Sequence, residues 1–446
     1  MTNYRIGFIP LARTTFDIAL ADTFTQRMRQ SLQSDGFQLI GPNQLVTDAM
    51  SAQAVSRELE DESIDALFIF QATFADSSMV TAITDRVDAP AFLWAVPEEP
   101  NGNRLRLNSF CGINLAGHAL TLRKIPYEYA YAMPENEVAL QKVKSLAAAG
   151  YVKRRLKSAR LGIVGEHPAG MDTCHLNEAE LQRLFGITTV HIPLEKVFSM
   201  ARSTDPLVVN TVRQRLDTRL PNLSELEQKP LQGTLSVYTV LQEIVKTEKL
   251  DGLAVRCWPE FFTELGCAAC GAMSMLTDEL TPCSCEADAN GTVTQMILQW
   301  INNNQHAFGS DFVAADIEKN TGVLWHCGLA PLSMANPADQ PRGTIHSNRR
   351  VPLLMEFTLK PGPVTLARIN QSTGQLRLIV GKGEMLSSPR SFSGTSGVIR
   401  FERPVQAVLD TMMNEGFEHH ISLTYGDHNQ ALLTFAKFVQ IPVFLL

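Results

Sequence analysis

The stretch CSCEADAN, residues 283–290, holds two thiols and two carboxylates within six residues. It follows a short apolar run and precedes residues 291–301, whose pattern predicts a helix. Asp288 or Asn290 could cap that helix, and Asn in place of Asp288 should be tolerated because Asn caps well. Glu286 is then left without a structural role. Ligands of open α/β sheets bind at the carboxyl ends of strands, so Glu286 has a position suited to function.

Further oxygen and nitrogen donors lie in the last third of the chain. Asp311 and Asp316 stand among apolar residues, and His326 lies inside an apolar strand, where a packed core histidine is the commoner role. His419 and His420 precede the predicted strand ISLTY. Neighbouring strand residues point to opposite faces, so at most one of the two should reach a given metal. Two carboxylates with one or two imidazoles suit Mn²⁺, although they do not exclude Zn²⁺, Co²⁺ or Mg²⁺.

Four of the eight cysteines form two close pairs, Cys267 with Cys270 and Cys283 with Cys285. Such spacing is one signature of a zinc site. The residues between the pairs are small and apolar, as in a helix packed on a sheet, and free cysteine is among the most buried residue types. We therefore favour four packed thiols over bound zinc.

The composition is that of an ordinary globular protein. The chain has 446 residues, of which 45% are hydrophobic and 19% charged, and a formal net charge of −7. The length suggests two or three domains, and the charge gives no basic footprint for nucleic acid. The first residues lack a signal-peptide pattern, and no run approaches the roughly 20 apolar residues of a membrane span. We expect a cytoplasmic protein without nucleic-acid or membrane partners.

The elements that must position these donors fall into three predicted domains. In residues 1–157, strands such as Arg5–Leu11 and 90–97 alternate with helices, which predicts a parallel sheet covered on both faces. The alternation restarts in residues 158–303, with a helix predicted over Leu235–Lys249. Residues 304–446 contain short strands separated by turn motifs such as Lys-Pro-Gly and Ser-Thr-Gly. The fold class is therefore α/β, with two doubly wound domains followed by a β-rich, barrel-like domain.

These segments, in this order, resemble the L-fucose isomerase and L-arabinose isomerase superfamily of aldose–ketose isomerases. CEADANGTVTQMIL resembles the family segment that supplies a glutamate metal ligand, here Glu286. FGSDF resembles the segment of the second carboxylate ligand, here Asp311, and LWHCG the segment of an additional histidine, here His326. GFEHHISLTYGD resembles the family's double-histidine motif, in which the second histidine, here His420, binds metal.

The resemblance implies two Rossmann-like domains, a β-rich C-terminal domain and a Mn²⁺ ion held by Glu286, Asp311 and His420. The ion would polarise the sugar carbonyl, and the two carboxylates would exchange protons as general acid and base. His326 would be a fourth ligand or a substrate contact, and His419 would orient its neighbour. The family further implies a homo-oligomer, a trimer or hexamer, with active sites at subunit boundaries.

Other substrate contacts are open between two interpretations. Arg13 resembles a sugar-binding arginine of the family, or it pairs with Asp17 at a helix start. Trp94 and Trp258 end strands, where each could stack on a sugar or cover the sheet edge. Glu260 could contact substrate, although an acidic residue at a helix start is the slightly favoured alternative.

The main interpretation is a metal-dependent isomerase acting on a free sugar. A non-catalytic sugar-binding protein is the first alternative, since two α/β lobes resemble sugar receptors. A metal-dependent aldolase or epimerase is the second, because it would share the enediolate chemistry. A third keeps the isomerase chemistry with a 6-substituted substrate such as a sulfonated hexose. The motifs favour catalysis but do not choose the sugar.

Overall fold

The computed structural model describes residues 3–446, which form two compact units. One comprises the described residues up to Arg155 together with Gln430–Gln440, and the other comprises Leu156–Asn429 together with Ile441–Leu446. Within the described residues, no helix is both long enough and apolar enough to span a membrane.

The first unit is built on a five-stranded parallel sheet with the strand order β2-β1-β3-β4-β5. Buried apolar side chains form separate clusters on its two faces, so helices cover both, as the alternating pattern predicts. The strands are β1 (Arg5–Leu11), β2 (Gln38–Ile40), β3 (Ala66–Gln71), β4 (Ala91–Ala95) and β5 (Tyr127–Tyr131).

Five helices alternate with these strands, and the helical segment of Gln430–Gln440 joins them from the far end of the chain. The first three begin at aspartate caps, whose side chains accept backbone N–H groups of the first turn. The helices are α1 (Ile18–Ser34), α2 (Ala49–Glu60), α3 (Ser77–Thr84), α4 (Ser109–Leu122) and α5 (Glu137–Leu156).

The second unit starts with a smaller parallel sheet in the order β7-β6-β8-β9. Its strands are β6 (Arg160–Val164), β7 (Thr188–Ile192), β8 (Gly252–Val255) and β9 (Cys283–Ser284). The accompanying helices are α6 (Glu178–Phe185), α7 (Leu194–Arg202), α8 (Pro206–Asp217), α9 (Gln228–Glu248), α10 (Cys270–Asp278) and α11 (Ala289–Ile301).

The remainder of the second unit contains a closed six-stranded barrel, which confirms the predicted fold class. Around the barrel the strands follow the order β10-β11-β16-β15-β14-β17, and β17 pairs with β10 to close it. The elements are β10 (Ala307–Asp316), β11 (Thr321–His326), β12 (Arg342–Thr344), β13 (Leu354–Thr358), β14 (Gly362–Asn370), β15 (Arg377–Leu386), β16 (Thr395–Phe401), α12 (Val405–Asn414), β17 (His420–Tyr425) and β18 (Val443–Leu445). Between β17 and β18 the chain forms α13 (Asn429–Val439), which belongs to the first unit from Gln430 onwards.

Helix α11 joins the small parallel sheet to the barrel. Every residue of the helix is buried, and it packs on β8 and β9 of the sheet and on β10, β14 and β17 of the barrel. A helix enclosed on all sides must be uncharged around its whole circumference, and TVTQMILQWI meets that demand. One hydrophobic cluster therefore runs through sheet and barrel, and the start of α11 lies where the two meet.

Candidate active site

The turn between β9 and α11 presents Glu286. Glu286 and Ala287 both have positive φ angles, 59° and 53°, a backbone conformation that side-chain-bearing residues adopt rarely and often at functional sites. The Trp258 indole N–H donates to Glu286 Oε1 at 3.1 Å, and His419 Nε2 lies 3.2 Å from Oε2. The Cys174 thiol donates to the same Oε2 at 3.7 Å. Three segments distant in sequence thus fix one carboxylate.

The surroundings of Glu286 keep it ionised. Burial raises the pKa of its carboxyl, but the hydrogen bond with His419 and the charge of His420 outweigh burial and leave the pKa below its usual value. The hydrogen bond from Trp258 acts in the same direction. A carboxylate that stays charged can bind a cation or accept a proton.

Asp288 caps α11 as predicted, since its Oδ1 accepts the Gly291 N–H at 2.9 Å. Its second oxygen has partners that the sequence does not reveal. Oδ2 lies 2.9 Å from His420 Nδ1 and pairs with the buried guanidinium of Arg368, which also donates to Oδ1 at 3.0 Å. We therefore expect Asn to be poorly tolerated at position 288, because a cap does not need the charge but Arg368 does. Asn290 is not the cap; it lies inside α11.

His420 is oriented by this contact. Burial lowers its pKa, but the hydrogen bond and charge of Asp288 outweigh burial and raise it. With Nδ1 turned to Asp288, Nε2 faces Asp311, whose Oδ1 lies 3.5 Å away. A carboxylate that holds one ring nitrogen while the other faces a donor set is the usual arrangement behind a metal-binding histidine.

Asp311, on β10, is the second carboxylate at this point, because β10 pairs with β17 and sets Asp311 directly opposite His420. Its Oδ1 is buried and has no hydrogen-bond partner among residues 3–446. A buried oxygen without a partner is costly unless something else satisfies it. Asp316, at the far end of the same strand, is bound to Lys319 instead. Asp311 is therefore the better candidate ligand of the two.

The two adjacent histidines approach each other instead of diverging. Their ring centroids are 3.9 Å apart, and ligand atoms of His419, His420 and Asp311 all lie within 4.8 Å of one another. The expectation that only one of the pair could reach a metal is wrong, because β17 begins at His420 and His419 lies in the preceding bend. Strand alternation does not apply across that boundary.

His326, at the end of β11, is buried beside the two. Its Nδ1 accepts the Cys327 backbone N–H at 2.9 Å, and its Nε2 lies 3.0 Å from Cys285 Sγ. Burial lowers its pKa to about 4. A neutral ring that accepts at Nδ1 carries its proton on Nε2, which makes it a hydrogen-bond donor. This state favours the substrate-contact alternative for His326 over the ligand alternative.

Candidate ligand atoms group around His420, which belongs to three clusters of atoms within 4.8 Å of one another. Its companions are Asp311 with His419, Glu286 with Cys174, and Cys285 with His326. Carboxylate and imidazole donors with an unsatisfied carboxylate oxygen fit a divalent ion such as Mn²⁺. Glu286 and Asp311 belong to different clusters that share His420, so the set of Glu286, Asp311 and His420 stays a prediction.

The remaining candidates have other partners. Trp94 is fully buried in the first unit, where its indole N–H donates to Ala132 O at 2.8 Å, so it is a core residue and neither of the two interpretations describes it. Arg13, in the same unit, forms an ion pair with Asp76. The alternative interpretation, in which Arg13 pairs with Asp17, is therefore not what the structure shows. Asp17 instead caps α1 and pairs with Arg106.

In the second unit, Glu260 forms a two-pronged ion pair with Arg256, at 2.8 and 2.7 Å. It directly precedes a helical turn over Phe261–Leu265, in line with the helix-start alternative. Trp258, two residues earlier, does line the site cavity, together with Glu286.

The paired cysteines have separate surroundings. Cys267 and Cys283 are buried, and the Cys283 thiol donates to a backbone carbonyl at 3.4 Å. Cys270 Sγ lies 3.3 Å from Cys327 Sγ, whereas Cys285 contacts the imidazoles described above. Burial raises the pKa of the Cys267 thiol to about 12, so this sulfur stays protonated and packs as an apolar group.

One cavity of about 540 Å³, a size ordinary for small-molecule sites, is lined by Glu286, Asp311, His326, His419 and His420. Several residues of its wall belong to no motif that can be recognised in the sequence. They are Met171, Cys257, Phe262, Asn348 and Arg349. A loop after a parallel strand is a usual place for ligand contacts, and this rule could have drawn attention to the His- and Cys-containing loop after β6 that supplies Met171 and Cys174.

Comparison with known proteins identifies two parts of the chain. Residues 7–157 match the N-terminal domain of fucose/sulfoquinovose isomerases, and residues 355–446 match the C-terminal domain of L-fucose isomerase. Full-length relatives include the sulfoquinovose isomerases of Alkalicoccus urumqiensis, 32% identical with 98% of both chains covered, and of Priestia megaterium, 29% identical with 99% of both covered. A sulfoquinovose isomerase of a Clostridium species is 28% identical, with 99% of both chains covered.

Proposed function

The chain belongs to the fucose isomerase-like superfamily and is an aldose–ketose isomerase, and from this premise we propose that its substrate is a hexose with a sulfonate at C6. The relatives that match its whole length are named for sulfoquinovose, a 6-deoxy-6-sulfo aldose. The observation that carries the proposed chemistry is the approach of Glu286 and Asp311 to the same histidine, His420, at one cavity.

The reaction moves one proton from C2 to C1 and redistributes the protons on O1 and O2. We propose that Glu286 and Asp311 share this work as general base and acid: one carboxylate removes the C2 proton and returns it at C1, and the other serves the two oxygens. The lowered pKa of Glu286 means that it begins as the ionised, proton-accepting form. The proton on His326 Nε2 faces Cys285 Sγ at 3.0 Å, and we propose that it hydrogen-bonds a sugar oxygen instead when the substrate binds.

We propose that Glu286, Asp311 and His420 hold a divalent ion, with Mn²⁺ as the first choice. When bound, such an ion supplies Lewis acidity for a carbonyl and stabilises developing negative charge. His419 supports the same site by its contact with Glu286, and Asp288 does so by orienting the His420 ring.

Asp311→Asn should weaken Mn²⁺ binding, because the amide offers one neutral oxygen in place of a charged one. The dissociation constant should rise by more than the roughly 10–100-fold that removing an outer partner of a metal site costs. Titration calorimetry on the metal-free protein measures it without any need for turnover. Asp316→Asn is the matched control on the same strand, and equal Mn²⁺ affinity in the two variants would contradict the assignment of Asp311.

The substrate proposal is tested by incubating the Mn²⁺-loaded protein with sulfoquinovose, L-fucose, L-arabinose and D-glucose and detecting the ketose by ¹³C NMR. We expect the ketose signal to form fastest from sulfoquinovose. Run in D₂O, the reaction should place deuterium at C1 of the product if an enediol exchanges its proton with a carboxylate. Faster turnover of L-fucose or L-arabinose would refute the sulfonated substrate while leaving the isomerase chemistry intact.

We also propose that the protein is a homo-oligomer, a trimer or hexamer. Aromatic and apolar side chains are exposed around the edge strand β5 of the first unit, where Tyr129, Tyr131 and Phe110 are each about half accessible. The Phe110 and Tyr131 rings lie 5.1 Å apart, and exposed aromatic side chains that lie together are of the kind that subunit contacts cover. A single-subunit mass in light scattering at micromolar concentration would refute this proposal.

A further inference from the structure

Arg349 lines the same cavity as Glu286 and stands out by its charge. It lies in the loop between β12 and β13, and its guanidinium carbon is 5.3 Å from the ring centroid of Trp258 and 4.9 Å from that of Phe262. Within residues 3–446 no carboxylate lies close enough to form an ion pair with it, and the cavity wall there holds no other arginine or lysine. The cavity thus contains a positively charged side chain that has no ion-pair partner among these residues.

The other arginines near the site are already neutralised. Arg256 is bound to Glu260 through two hydrogen bonds, and Arg368 is buried against Asp288. A guanidinium that stacks on aromatic rings keeps its N–H edge free, because stacking uses the face of the group and hydrogen bonding uses the rim. That edge is suited to two parallel hydrogen bonds with an oxyanion.

The loop holds Arg349 in place through His346. The His346 Nδ1 accepts the backbone N–H groups of Asn348 and Arg349, each at 3.3 Å, and the Arg350 N–H donates to the His346 carbonyl at 2.8 Å. The His346 ring meets Phe262 edge-on with centroids 5.2 Å apart. The position of the guanidinium is therefore set by the hydrogen-bonded turn from His346 to Arg350 and by the rings of Trp258 and Phe262.

Trp258 connects this cation to the reacting end of the cavity. One side of its indole carries the Arg349 guanidinium, and its N–H holds the Glu286 carboxylate at 3.1 Å. A 6-substituted hexose has the same layout: the reacting C1–C2 end and the C6 substituent are at opposite ends of a short carbon chain.

We infer that Arg349 binds the sulfonate of the substrate and so determines specificity for sugars with an anionic group at C6. The inference rests on the proposed function, because it assigns the anion of the proposed substrate to one residue. Two of the three sulfonate oxygens would accept the N–H edge of the guanidinium, while Trp258 and Phe262 cover the faces of the group and hold it in plane.

The test compares sulfoquinovose with 6-deoxy-D-glucose, the same sugar without the sulfonate, in Arg349→Met and Arg349→Lys. For Arg349→Met we expect the KM for sulfoquinovose to rise roughly ten- to hundredfold, the effect of losing a hydrogen-bonded pair of charged groups. The kcat/KM for 6-deoxy-D-glucose should stay within about twofold. Arg349→Lys should fall between, since it keeps the charge and loses the planar fork.

Arg350→Met is the matched control, because Arg350 is exposed on the same loop and does not line the cavity. It should leave both kinetic constants unchanged. Calorimetric titration of each metal-free variant with sulfoquinovose gives the same comparison without turnover.

The possible failures are distinct. If the wild type isomerises sulfoquinovose and Arg349→Met does so with an unchanged KM, the assignment of Arg349 is refuted and the proposed function stands. If the wild type neither binds nor converts sulfoquinovose, the proposed function is refuted and the inference with it. Equal losses on both sugars in Arg349→Met would show that Arg349 supports the fold of the cavity and not the sulfonate.

Discussion

Glu286→Gln should reduce turnover by about 10²–10⁴-fold, the usual contribution of a positioned general acid or base. The substitution preserves size, and an amide oxygen can still accept the Trp258 indole N–H that now binds the carboxylate at 3.1 Å. It removes the negative charge and the ability to take a proton. The measurement is kcat at saturating sugar and saturating Mn²⁺, so that weakened ion binding does not account for the loss.

The control for this variant is Glu384→Gln, which makes the same chemical change at an exposed position on barrel strand β15. It should leave kcat unchanged. If Glu286→Gln retained more than a tenth of wild-type turnover under these conditions, Glu286 would be a structural turn residue and the base would have to be sought elsewhere. A normal thermal unfolding curve for Glu286→Gln distinguishes lost chemistry from lost structure.

Asp288→Asn should lower the free energy of unfolding by about 3–5 kcal/mol, the cost of leaving one member of a buried ion pair without its partner. Asn still caps α11, so the loss comes from the charge opposite Arg368, whose side chain is only 2% exposed. Glu418 remains 3.6 Å from Arg368 Nε, which favours the lower end of that range. Denaturant titration with the linear extrapolation measures the difference.

Asp205→Asn is the matched control, because Asp205 also caps a helix, α8, but is exposed and accepts only a backbone N–H. The two substitutions are identical and both positions are caps, so the difference between them isolates the buried charge. Equal, small effects at both positions would mean that Arg368 is satisfied without Asp288.

The pH dependence of the Asp288 effect has a definite sign. Burial raises the pKa of Asp288, but the charge of Arg368 and the hydrogen bond with His420 outweigh it and hold the pKa well below its usual range. A depressed carboxyl pKa contributes stability that is present above the ordinary pKa and lost as the pH falls through the depressed one. The gap between wild type and Asp288→Asn should first widen as the pH falls from neutral, because the variant loses the contact that raises the pKa of His420. It should then narrow below about pH 4, where the stability contributed by the Asp288 carboxylate is lost.

The sequence predicts the fold class because the elements that define it have strong local patterns. The buried strands are continuous apolar runs, and the barrel strands are separated by turn residues. Strand β5 is not predicted, since its sequence YEYAY lies at a sheet edge, exposes Tyr129 and Tyr131 and has no apolar run. Helix α9 begins at Gln228, before the predicted Leu235, because Pro230 reads as a helix breaker although the first turn tolerates it.

Short sequence motifs predict part of the site. Glu286, Asp311 and the two histidines stand in recognisable segments, and the structure brings them to one cavity. The role of Asp288 as the partner of Arg368 is not predictable, because a cap already explains an aspartate there. The ion pair depends on the contact between α11 and β14. Local sequence patterns do not reveal how two elements so far apart in the chain pack against each other. An arginine inside the apolar strand VTLARIN was the one available sign.

The division of the chain between its two units also bears on the order in which the protein can fold during synthesis. The first unit includes Gln430–Gln440, and Lys437 of that segment bonds the Tyr127 carbonyl and Glu128 at 2.6 Å. A ribosome therefore finishes the barrel strand β17 before it supplies the last helix of the first unit. A chain stalled before Gln430 should expose the start of β5 to proteases, and full protection there on stalled chains would show that this helix is dispensable. The first unit to be translated can thus reach its complete fold only when some of the last residues of the chain have been synthesised.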